Sequence, residues 1–245
     1  MAVNSGWVGT SAKAETKKAW MGEARLELRL PKAGWMSEMI GKSTEVLFIN
    51  TVNHTQASVH ALMGSPTVPN IYILENTATI SAATQSGWAL QTGNFPAGST
   101  LRVINHGHIR GGGGNGGSGQ DGGAGGTALL LNFPTTIDNT SGTIWGGGGG
   151  GGAHVAASLT RGGGGGGGIP AGAGGSGTLA NGSAGGEVNG GAGGASGTER
   201  AGNGGSVGNA GGSSTRSGGR GGYSVQTNGN AVSWIAVGDR RGAVV

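Results

Sequence analysis

Two uninterrupted runs of seven glycines, 146–152 and 162–168, constrain the fold of this chain more than any other feature. Glycine accounts for 61 of the 245 residues, and only nine of those glycines fall within the first 100. Glycine brings no side chain to a hydrophobic core, so the two parts of the chain need different means of stabilisation. We predict a domain of residues 1–105 and a glycine-rich domain of residues 106–245.

The glycine-rich part has three candidate structures. A flexible linker is the usual state of glycine- and serine-rich sequence. Collagen is excluded, because it needs glycine at every third position and abundant proline, whereas residues 106–222 contain only Pro134 and Pro170. The third candidate is a bundle of extended polyglycine II helices, which have three residues per turn as polyproline II does.

Two features favour the bundle over the linker. The two glycine runs have the same length, about 22 Å at a rise of about 3.1 Å per residue, as expected for elements that run back and forth. Segments 127–145 and 230–237 are apolar and strand-like, which no linker needs, and we expect them to cap or edge the bundle. A hydrogen bond returns about 0.5–1.5 kcal/mol against about 1–2 kcal/mol for ordering a residue, so these apolar segments must contribute.

Short polar inserts separate the glycine runs, and alternating helices would place them alternately at two ends. One end then carries residues 118–121, 154–161, 178–183, 197–200 and 213–216, and the other carries 127–145 and 187–189. Because recognition usually resides in loops on a rigid scaffold, the first end is a candidate binding surface. Its candidate residues are Ser118, Gln120, Asp121, His154, Val155, Ser158, Leu159, Thr160, Arg161, Leu179, Asn181, Thr198, Glu199, Arg200, Ser214, Thr215 and Arg216.

Residues 1–105 are predicted to form a small α/β (α+β) module. Ser11 can cap a short helix that runs to about Gly22, and the alternating residues 25–30 predict a strand that Pro31 ends. A second short helix is expected over residues 34–41. Further strands are predicted over residues 45–52, 70–74 and 100–105.

The first 40 residues hold more large apolar side chains than so small a module can bury. Such side chains often mark a surface that contacts a partner. We therefore predict that this part docks on another protein. The residues assigned to that surface are Trp7, Trp20, Met21, Trp35, Met36 and Met39.

Composition argues against several other functions. The absence of cysteine rules out disulfides and suits synthesis in a reducing cytoplasm. The net charge of +4 is spread thinly without a basic cluster, so nucleic-acid binding is not expected. No apolar run approaches a secretory signal core or a membrane span. His106 and His108 lack partner ligands for a metal, and no paired carboxylates for glycoside cleavage can be identified, so we predict neither an enzyme nor a cofactor.

Several stretches of the chain resemble the distal-tip adhesins of T-even-type phage long tail fibres. They are residues 7–12, Glu15-Thr16, Trp20-Met21, Trp35-Met36-Ser37, Gly41-Lys42-Ser43, Ile144-Trp145 with its glycine run, and the Gly-Asp-Arg-Arg-Gly ending at residues 238–242. The resemblance covers essentially the whole chain. It implies an N-terminal part that attaches to the tip of the trimeric fibre shaft protein, and a sandwich of about ten polyglycine II helices.

The resemblance also implies a role at the distal tip of the virion's fibre. Variable segments of such adhesins bind outer-membrane proteins such as porins and set the host range. The alternative is a structural cap that helps the shaft protein fold without touching the host. Exchanging the glycine-rich part between two relatives separates the two, because only an adhesin would transfer its host range.

Overall fold

A computed structural model describes residues 3, 5–28, 30–40 and 44–245. Its helices are α1 (Val8–Thr16), α2 (Met21–Glu27), a 3₁₀ helix (Met36–Met39) and α3 (Val59–Leu62). None of the helices in these ranges is long and apolar enough to cross a bilayer. The strands in chain order are β1 (Glu45–Asn50), β2 (His54–Thr55), β3 (Ala57–Ser58), β4 (Ile71–Asn76), β5 (Thr79–Ser81), β6 (Leu90–Gln91), β7 (Thr100–Asn105), β8 (His108–Arg110), β9 (Leu129–Leu130), β10 (Thr135–Asp138), β11 (Thr143–Trp145), β12 (His154–Ala156), β13 (Leu159–Arg161), β14 (Ala195–Ser196), β15 (Glu199–Arg200), β16 (Val225–Gln226), β17 (Val232–Ala236) and β18 (Asp239–Arg241).

The first 40 residues form a helical module with a core of its own. Its buried apolar residues are Val3, Ala12, Ala24, Leu28 and Met39. Two predictions here were wrong. Ser11 lies inside α1 and donates its amide to the Trp7 carbonyl, and α1 ends at Thr16, where Lys17 adopts a left-handed conformation with φ of 59°.

The strand predicted over residues 25–30 is also wrong. Most of it lies in α2 and the turn that follows, while Arg29 is outside the described residues. The sequence Glu-Ala-Arg-Leu-Glu consists of strong helix formers. Ala24 and Leu28 are buried at the four-residue spacing of a helix, which outweighs the short alternation of leucines. The short helix expected over 34–41 is confirmed as the 3₁₀ helix, although Gly41 is not described.

Residues 45–241 wind as a three-sided parallel β-helix. Consecutive strands lie in three different sheets, ordered β1-β4-β7-β10-β17, β2-β5-β8-β11-β18 and β3-β6-β9-β16. Each turn of the chain therefore stacks on the previous one, as in other solenoids. The strands predicted near residues 45–52, 70–74 and 100–105 are confirmed as β1, β4 and β7, which pair in parallel with six residues in register.

The interior of the β-helix is built from columns of identical inward positions. Leu74, Val103 and Ile137 stack in the first sheet, and Ile80, Ile109 and Ile144 stack in the second. All six are fully buried in one hydrophobic core. Burial of a whole aliphatic side chain contributes about 1.5–3 kcal/mol, so side chains hold this part together.

A ladder of buried asparagines runs along one corner of the β-helix. The side-chain amide of Asn50 donates to Asn76 at 2.8 Å, Asn76 donates to Asn105 at 2.8 Å, and Asn105 donates to Asn139 at 2.7 Å. Asn139 in turn donates to the Val237 carbonyl at 2.8 Å. Asn76, Asn105 and Asn139 thus find partners on the coils before and after their own, which fixes the register of the stack.

The boundary predicted at residue 105 does not separate two cores. Buried residues from Ala57 to Val225 belong to a single cluster, and β7 and β10 pair across that position. The rise in glycine content marks a change in how the chain is stabilised, not the end of a folding unit. The two cores are instead those of residues 3–39 and of residues 57–225.

The glycine-rich sequence is inserted into the β-helix between its second and third sides. One insertion lies between β8 and β9 and the other between β11 and β16. Apolar segments 127–145 and 230–237 supply β9, β10, β11 and β17, so they are strands of the β-helix at the base of the insertions. The first glycine segments directly continue β8 and β11, with Gly111 donating to the Trp145 carbonyl and Gly146 to that of Arg241, both at 2.9 Å.

Ten extended segments make up the insertions. In chain order, segments 1 to 10 comprise residues 111–117, 122–126, 146–152, 162–168, 171–177, 181–186, 190–194, 201–205, 209–213 and 217–223. Backbone hydrogen bonds to any one neighbour recur every third residue. In segment 1, for example, Gly111, Gly114 and Gly117 all donate to residues 145–151, each three residues further along.

The hydrogen-bond partners place the segments in three rows, 2-1-5, 10-3-4-6 and 9-8-7. Segments 3 and 4, which are the two seven-glycine runs, each bond to six surrounding segments. All fourteen of their glycines are buried. A Cβ atom added at Gly150 would overlap the Asn115 carbonyl, and one at Gly165 would overlap that of Gly172. Only glycine allows this spacing, so the longest glycine runs occupy the centre of the array.

The eight outer segments tolerate other residues at every third, outward-facing position. The exposed residues there include Asn115, Ala173, Ser176, Ala192, Asn203 and Arg220. Asparagine has a further role at these positions. The side-chain oxygen of Asn115 accepts the amide of Ala173 at 2.9 Å, and that of Asn203 accepts the amide of Gly193 at 2.9 Å. These side-chain oxygens accept hydrogen bonds from rim amides that have no carbonyl partner in the array.

Candidate functional site

Consecutive glycine segments run in opposite directions. As the donor in segment 3 advances from Gly147 to Gly150, its acceptor in segment 2 retreats by three residues, and the same holds between segments 3 and 4. The connections at 118–121, 153–161, 178–180, 195–200 and 214–216 therefore lie together, far from the β-helix. We call this surface the loop end. The alternation inferred from the sequence is confirmed, including the placement of residues 187–189 at the opposite end, where Glu187 pairs with Arg110 at 3.1 Å.

Two of the five connections are short antiparallel hairpins. Strands β12 and β13 are joined through Ala157-Ser158, and β14 and β15 through Gly197-Thr198. The first residue of each turn is left-handed, with φ of 52° at Ala157 and 62° at Gly197. Two-residue hairpin turns need this conformation, which a glycine adopts more readily than an alanine.

A charged cluster joins the two hairpins. The Arg161 guanidinium lies 2.7 Å from the Glu199 carboxylate and donates to the Ser196 carbonyl at 3.1 Å. The His154 ring lies 3.4 Å from the same carboxylate. The Arg161 side chain is almost fully buried, whereas that of Glu199 is about half exposed, so the buried guanidinium ties the second hairpin to the first.

Further hydrogen bonds connect the remaining turns. The amide of Val155 donates to the Thr215 hydroxyl at 2.6 Å, and the Ser214 hydroxyl donates to the Arg200 carbonyl at 2.8 Å. The amides of Thr160 and Thr178 donate to each other's hydroxyls at 2.9 and 3.0 Å. The Ala153 amide donates to the Gln120 carbonyl at 3.1 Å, so every one of the five connections is tied to at least one other, and the loop end is a single surface.

The candidate residues at the loop end fall into two groups. Some are held by the protein itself: Ser118, Asp121, His154, Val155, Thr160, Arg161, Asn181, Glu199, Ser214 and Thr215. The others expose side chains that make no hydrogen bond or salt bridge with any residue that the structure describes: Gln120, Ser158, Leu159, Leu179, Thr198, Arg200 and Arg216. The second group can contact a partner, and the first positions the second.

A groove of about 360 Å³ opens beside the first hairpin. It is lined by residues of three connections: Ser118, Gly119, Thr160, Ser176, Gly177 and Thr178. The sequence placed Gly119 and Thr178 in inserts at this end without naming them as candidate residues, and it missed Ser176 and Gly177. The pattern of outward-facing third residues could have identified Ser176, because it places this residue on the outward side of segment 5.

The helical module presents a second surface, at the other end of the chain. Trp7, Trp20 and Trp35 are 87%, 74% and 79% exposed, and Met21 and Met36 are also exposed. Met39 is fully buried in the core of the module, so its assignment to a docking surface is wrong. Nothing in the spacing of the short helix distinguished Met39 from its exposed neighbours.

A buried arginine positions one of these tryptophans. Arg25 donates to the carbonyls of Pro31 at 2.7 Å, Ala33 at 3.3 Å and Trp35 at 2.6 Å, and pairs with Glu38 at 2.6 Å. The loop between α2 and the 3₁₀ helix is wrapped around this guanidinium. Sequence patterns did not predict this arrangement, because they assigned Arg25 to a strand.

The two histidines considered as metal ligands bond to hydroxyls instead. The His106 ring lies 2.6 Å from the Ser141 hydroxyl, and the His108 ring lies 2.9 Å from that of Thr143. Burial, followed by the nearby Arg110, lowers the pKa of His108. Among residues 44–245 and the described parts of the helical module, no group of three or more metal-ligating side chains comes together.

Comparison with known proteins separates the same two parts of the chain. Residues 40–245 match the family model described as phage tail fibre adhesin Gp38, and residues 1–40 match that of the Gp38 N-terminal domain. The fold is similar to a chain in the crystal structure of the gp37–gp38 adhesin tip complex of the bacteriophage S16 long tail fibre. That similarity has a TM-score of 0.75 and 31% sequence identity, and it covers 100% of both chains. This chain belongs to the Gp38 family of phage tail fibre adhesins.

Proposed function

We propose that this chain binds an outer-membrane protein of the host bacterium through the loop end and thereby sets the host range of the phage. The observation that carries the proposal is the loop end itself, five connections tied into one surface on a rigid array. A surface ordered before binding loses little conformational entropy when a partner docks, so its exposed side chains contribute fully to affinity.

Leu159 and Leu179 are exposed apolar side chains on two different connections of the loop end. Apolar side chains surrounded by polar ones are typical of protein interfaces. This mixture favours a protein partner, which a porin or a similar outer-membrane protein would supply.

Exchange of residues 111–126 and 146–223 together between two members of the family tests the role directly. If the exchange transfers adsorption from one bacterial strain to another, the loop end sets the host range. If adsorption stays with the β-helix and helical module, the glycine-rich part is a structural cap. Leu159→Ala combined with Leu179→Ala is a finer test, and we expect weakened adsorption with unchanged assembly of the fibre.

We further propose that the helical module attaches the chain to a trimeric fibre shaft protein. The S16 relative lies in a complex with gp37, and this chain exposes three tryptophans on a module with a core of its own. Large aromatic side chains are the residue type that most often carries the affinity of an interface.

Substitution of Trp7, Trp20 and Trp35 by alanine, singly and together, tests the attachment. The triple variant should fail to co-purify with the shaft protein and should still bind cells. Leu159→Ala at the loop end is the matched control, because it should show the reverse. Retained co-purification of the triple variant would exclude the tryptophans from the attachment.

The ten glycine segments are, on this proposal, polyglycine II helices. Hydrogen bonds that recur every third residue and the six neighbours of the central segments support it, since both follow from three residues per turn. A crystal structure provides the test. Backbone angles near about −75° and +145° through segments 3 and 4 would agree, and pleated β-strand angles would contradict it.

A further inference from the structure

At the loop end, Arg161 is paired with a carboxylate, whereas two other arginines have no such partner among the described residues. Arg161 and His154 share the Glu199 carboxylate, as described above. Arg200 and Arg216 are exposed, and their side chains make neither a salt bridge nor a hydrogen bond with any residue of 44–245 or of the described N-terminal segments. The loop end therefore presents two unpaired guanidinium groups.

The backbone of both arginines is fixed by one serine. The Ser214 hydroxyl donates to the Arg200 carbonyl at 2.8 Å, and the Ser214 amide donates to the Arg216 carbonyl at 2.9 Å. The amide of Arg216 is also bonded, to the Ala153 carbonyl at 3.1 Å. Neighbouring residues of a strand face opposite sides, so Arg200 faces away from Glu199 and its cluster. The two cations are held on adjacent connections, facing solvent.

The groove beside the first hairpin holds three hydroxyl groups that can donate hydrogen bonds to a partner. The hydroxyl oxygens of Ser118, Thr160 and Thr178 each accept a backbone amide, from Ser176, Thr178 and Thr160 respectively. None of these three hydroxyl groups donates to an acceptor in the described part of the chain, so each has its hydrogen free for a partner. The two guanidinium groups and the three hydroxyls of the groove can all donate hydrogen bonds. Both therefore suit a partner surface that is rich in acceptor oxygens.

We infer that Arg200 and Arg216 bind carboxylates of an acidic extracellular loop of the outer-membrane protein, an inference that rests on the proposed function. A guanidinium binds a carboxylate with two parallel hydrogen bonds, which adds direction to charge attraction. The hydroxyls of the groove then take backbone carbonyls of the same loop. Recognition of acidic loops would thus be a property of the arginine pair, separable from the apolar contacts of Leu159.

A protein carboxylate fits this surface better than the phosphates of lipopolysaccharide. A dense polyanion is usually met by a continuous basic patch. Here two cations stand among hydroxyls, exposed leucines and Asp121, whose carboxylate accepts the Ser217 amide at 2.9 Å. Such a mixture is typical of a protein–protein interface.

Binding of the purified, fluorescently labelled protein to intact cells tests the inference, on a strain chosen because the wild-type protein binds it. Arg200→Gln combined with Arg216→Gln should raise the apparent Kd at least about ten-fold, and the double lysine variant should keep part of the lost affinity. The control is Arg220→Gln, which removes one positive charge from the side of the array. Wild-type binding should weaken between about 0.05 M and about 0.5 M NaCl, and the double glutamine variant should lose this salt dependence.

Two treatments of the same cells identify the anion. Conversion of surface carboxylates to amides with a carbodiimide and ethanolamine should abolish wild-type binding. If protein-free lipopolysaccharide inhibits binding of the wild-type protein to cells but not binding of the double glutamine variant, the assignment to protein carboxylates is wrong. Wild-type affinity and salt dependence in that variant would overturn the arginine pair, while adhesion itself would stand. A wild-type protein that binds no strain would instead overturn the proposed function.

Discussion

The β-helix and the glycine array that is inserted into it are stabilised in opposite ways. In the β-helix, aliphatic columns such as Leu74, Val103 and Ile137 fill the interior, and burial of apolar surface is the main favourable term. In the array, the interior is backbone, and the absence of side chains lets each central segment bond to six others. The comparison shows that a core can be specified either by the side chains that are present or by those that are missing.

The two regions also differ in what their surfaces tolerate. The strands of the β-helix alternate inward and outward residues, so every second position is constrained. In the outer glycine segments a side chain fits at only one position of every three. In the central segments it fits at none. Variation in the array is therefore confined to its outward third positions and its connections, which is where a binding surface can change without disturbing the fold.

The largest expected effect comes from a side chain in a central segment. Gly150→Val would overlap the Asn115 carbonyl and separate segments 1 and 3, so we expect a loss of more than about 4 kcal/mol in the free energy of unfolding. Guanidinium denaturation measures it. Ala173→Val, at an outward position of segment 5, is the control and should change stability by less than about 0.5 kcal/mol. Equal effects of the two would contradict a backbone core.

A smaller loss is expected in the β-helix, where a cavity replaces a side chain. Leu74→Ala empties part of the first column and should cost about 2–5 kcal/mol. Leu47→Ala, on the exposed outer face of the same sheet, should cost far less. Chemical denaturation of both variants makes the comparison, and similar losses would mean that the columns do not form the core.

Hydrogen bonds of buried asparagines should contribute more to stability than those of asparagines at the rim of the array. Asn105→Ala removes bonds to both Asn76 and Asn139 in a buried corner and should cost about 1–3 kcal/mol. Asn203→Ala at the rim of the array leaves one amide that water can reach, so its cost should stay below about 1 kcal/mol. Thermal unfolding of both variants measures the difference. A lower stability of Asn203→Ala than of Asn105→Ala would contradict this prediction.

The smallest effect concerns pH. The pKa of His108 is lowered by burial and by Arg110, so the unfolded chain binds a proton more readily than the folded one. Stability should therefore fall as the pH drops below the ordinary histidine pKa of about 6.5. His108→Gln should flatten the dependence of the unfolding midpoint on pH between about 7 and 5. An unchanged pH profile would show that another group is responsible.

As a tail fibre adhesin the protein is a component of the virion, and much of its design can be deduced from the sequence. The two seven-glycine runs predicted elements of equal length, and these are the two central segments. The alternation of glycine runs and inserts predicted which connections share an end, including that of residues 197–200. Both deductions succeed because they depend on local features, namely the absence of Cβ atoms and the reversal of direction at each turn.

Other features were decided only by tertiary structure. The β-helix escaped prediction because its strands are two to six residues long and its coils are interrupted by insertions, so no repeat of fixed length is visible. Coil stacking joins residues on both sides of position 105, and only the shared core shows that they belong together. The strand predicted over 25–30 and the exposure expected of Met39 failed for a related reason. Which face of a short element is buried depends on its neighbours, such as the loop that wraps around Arg25, and not on the element's own sequence.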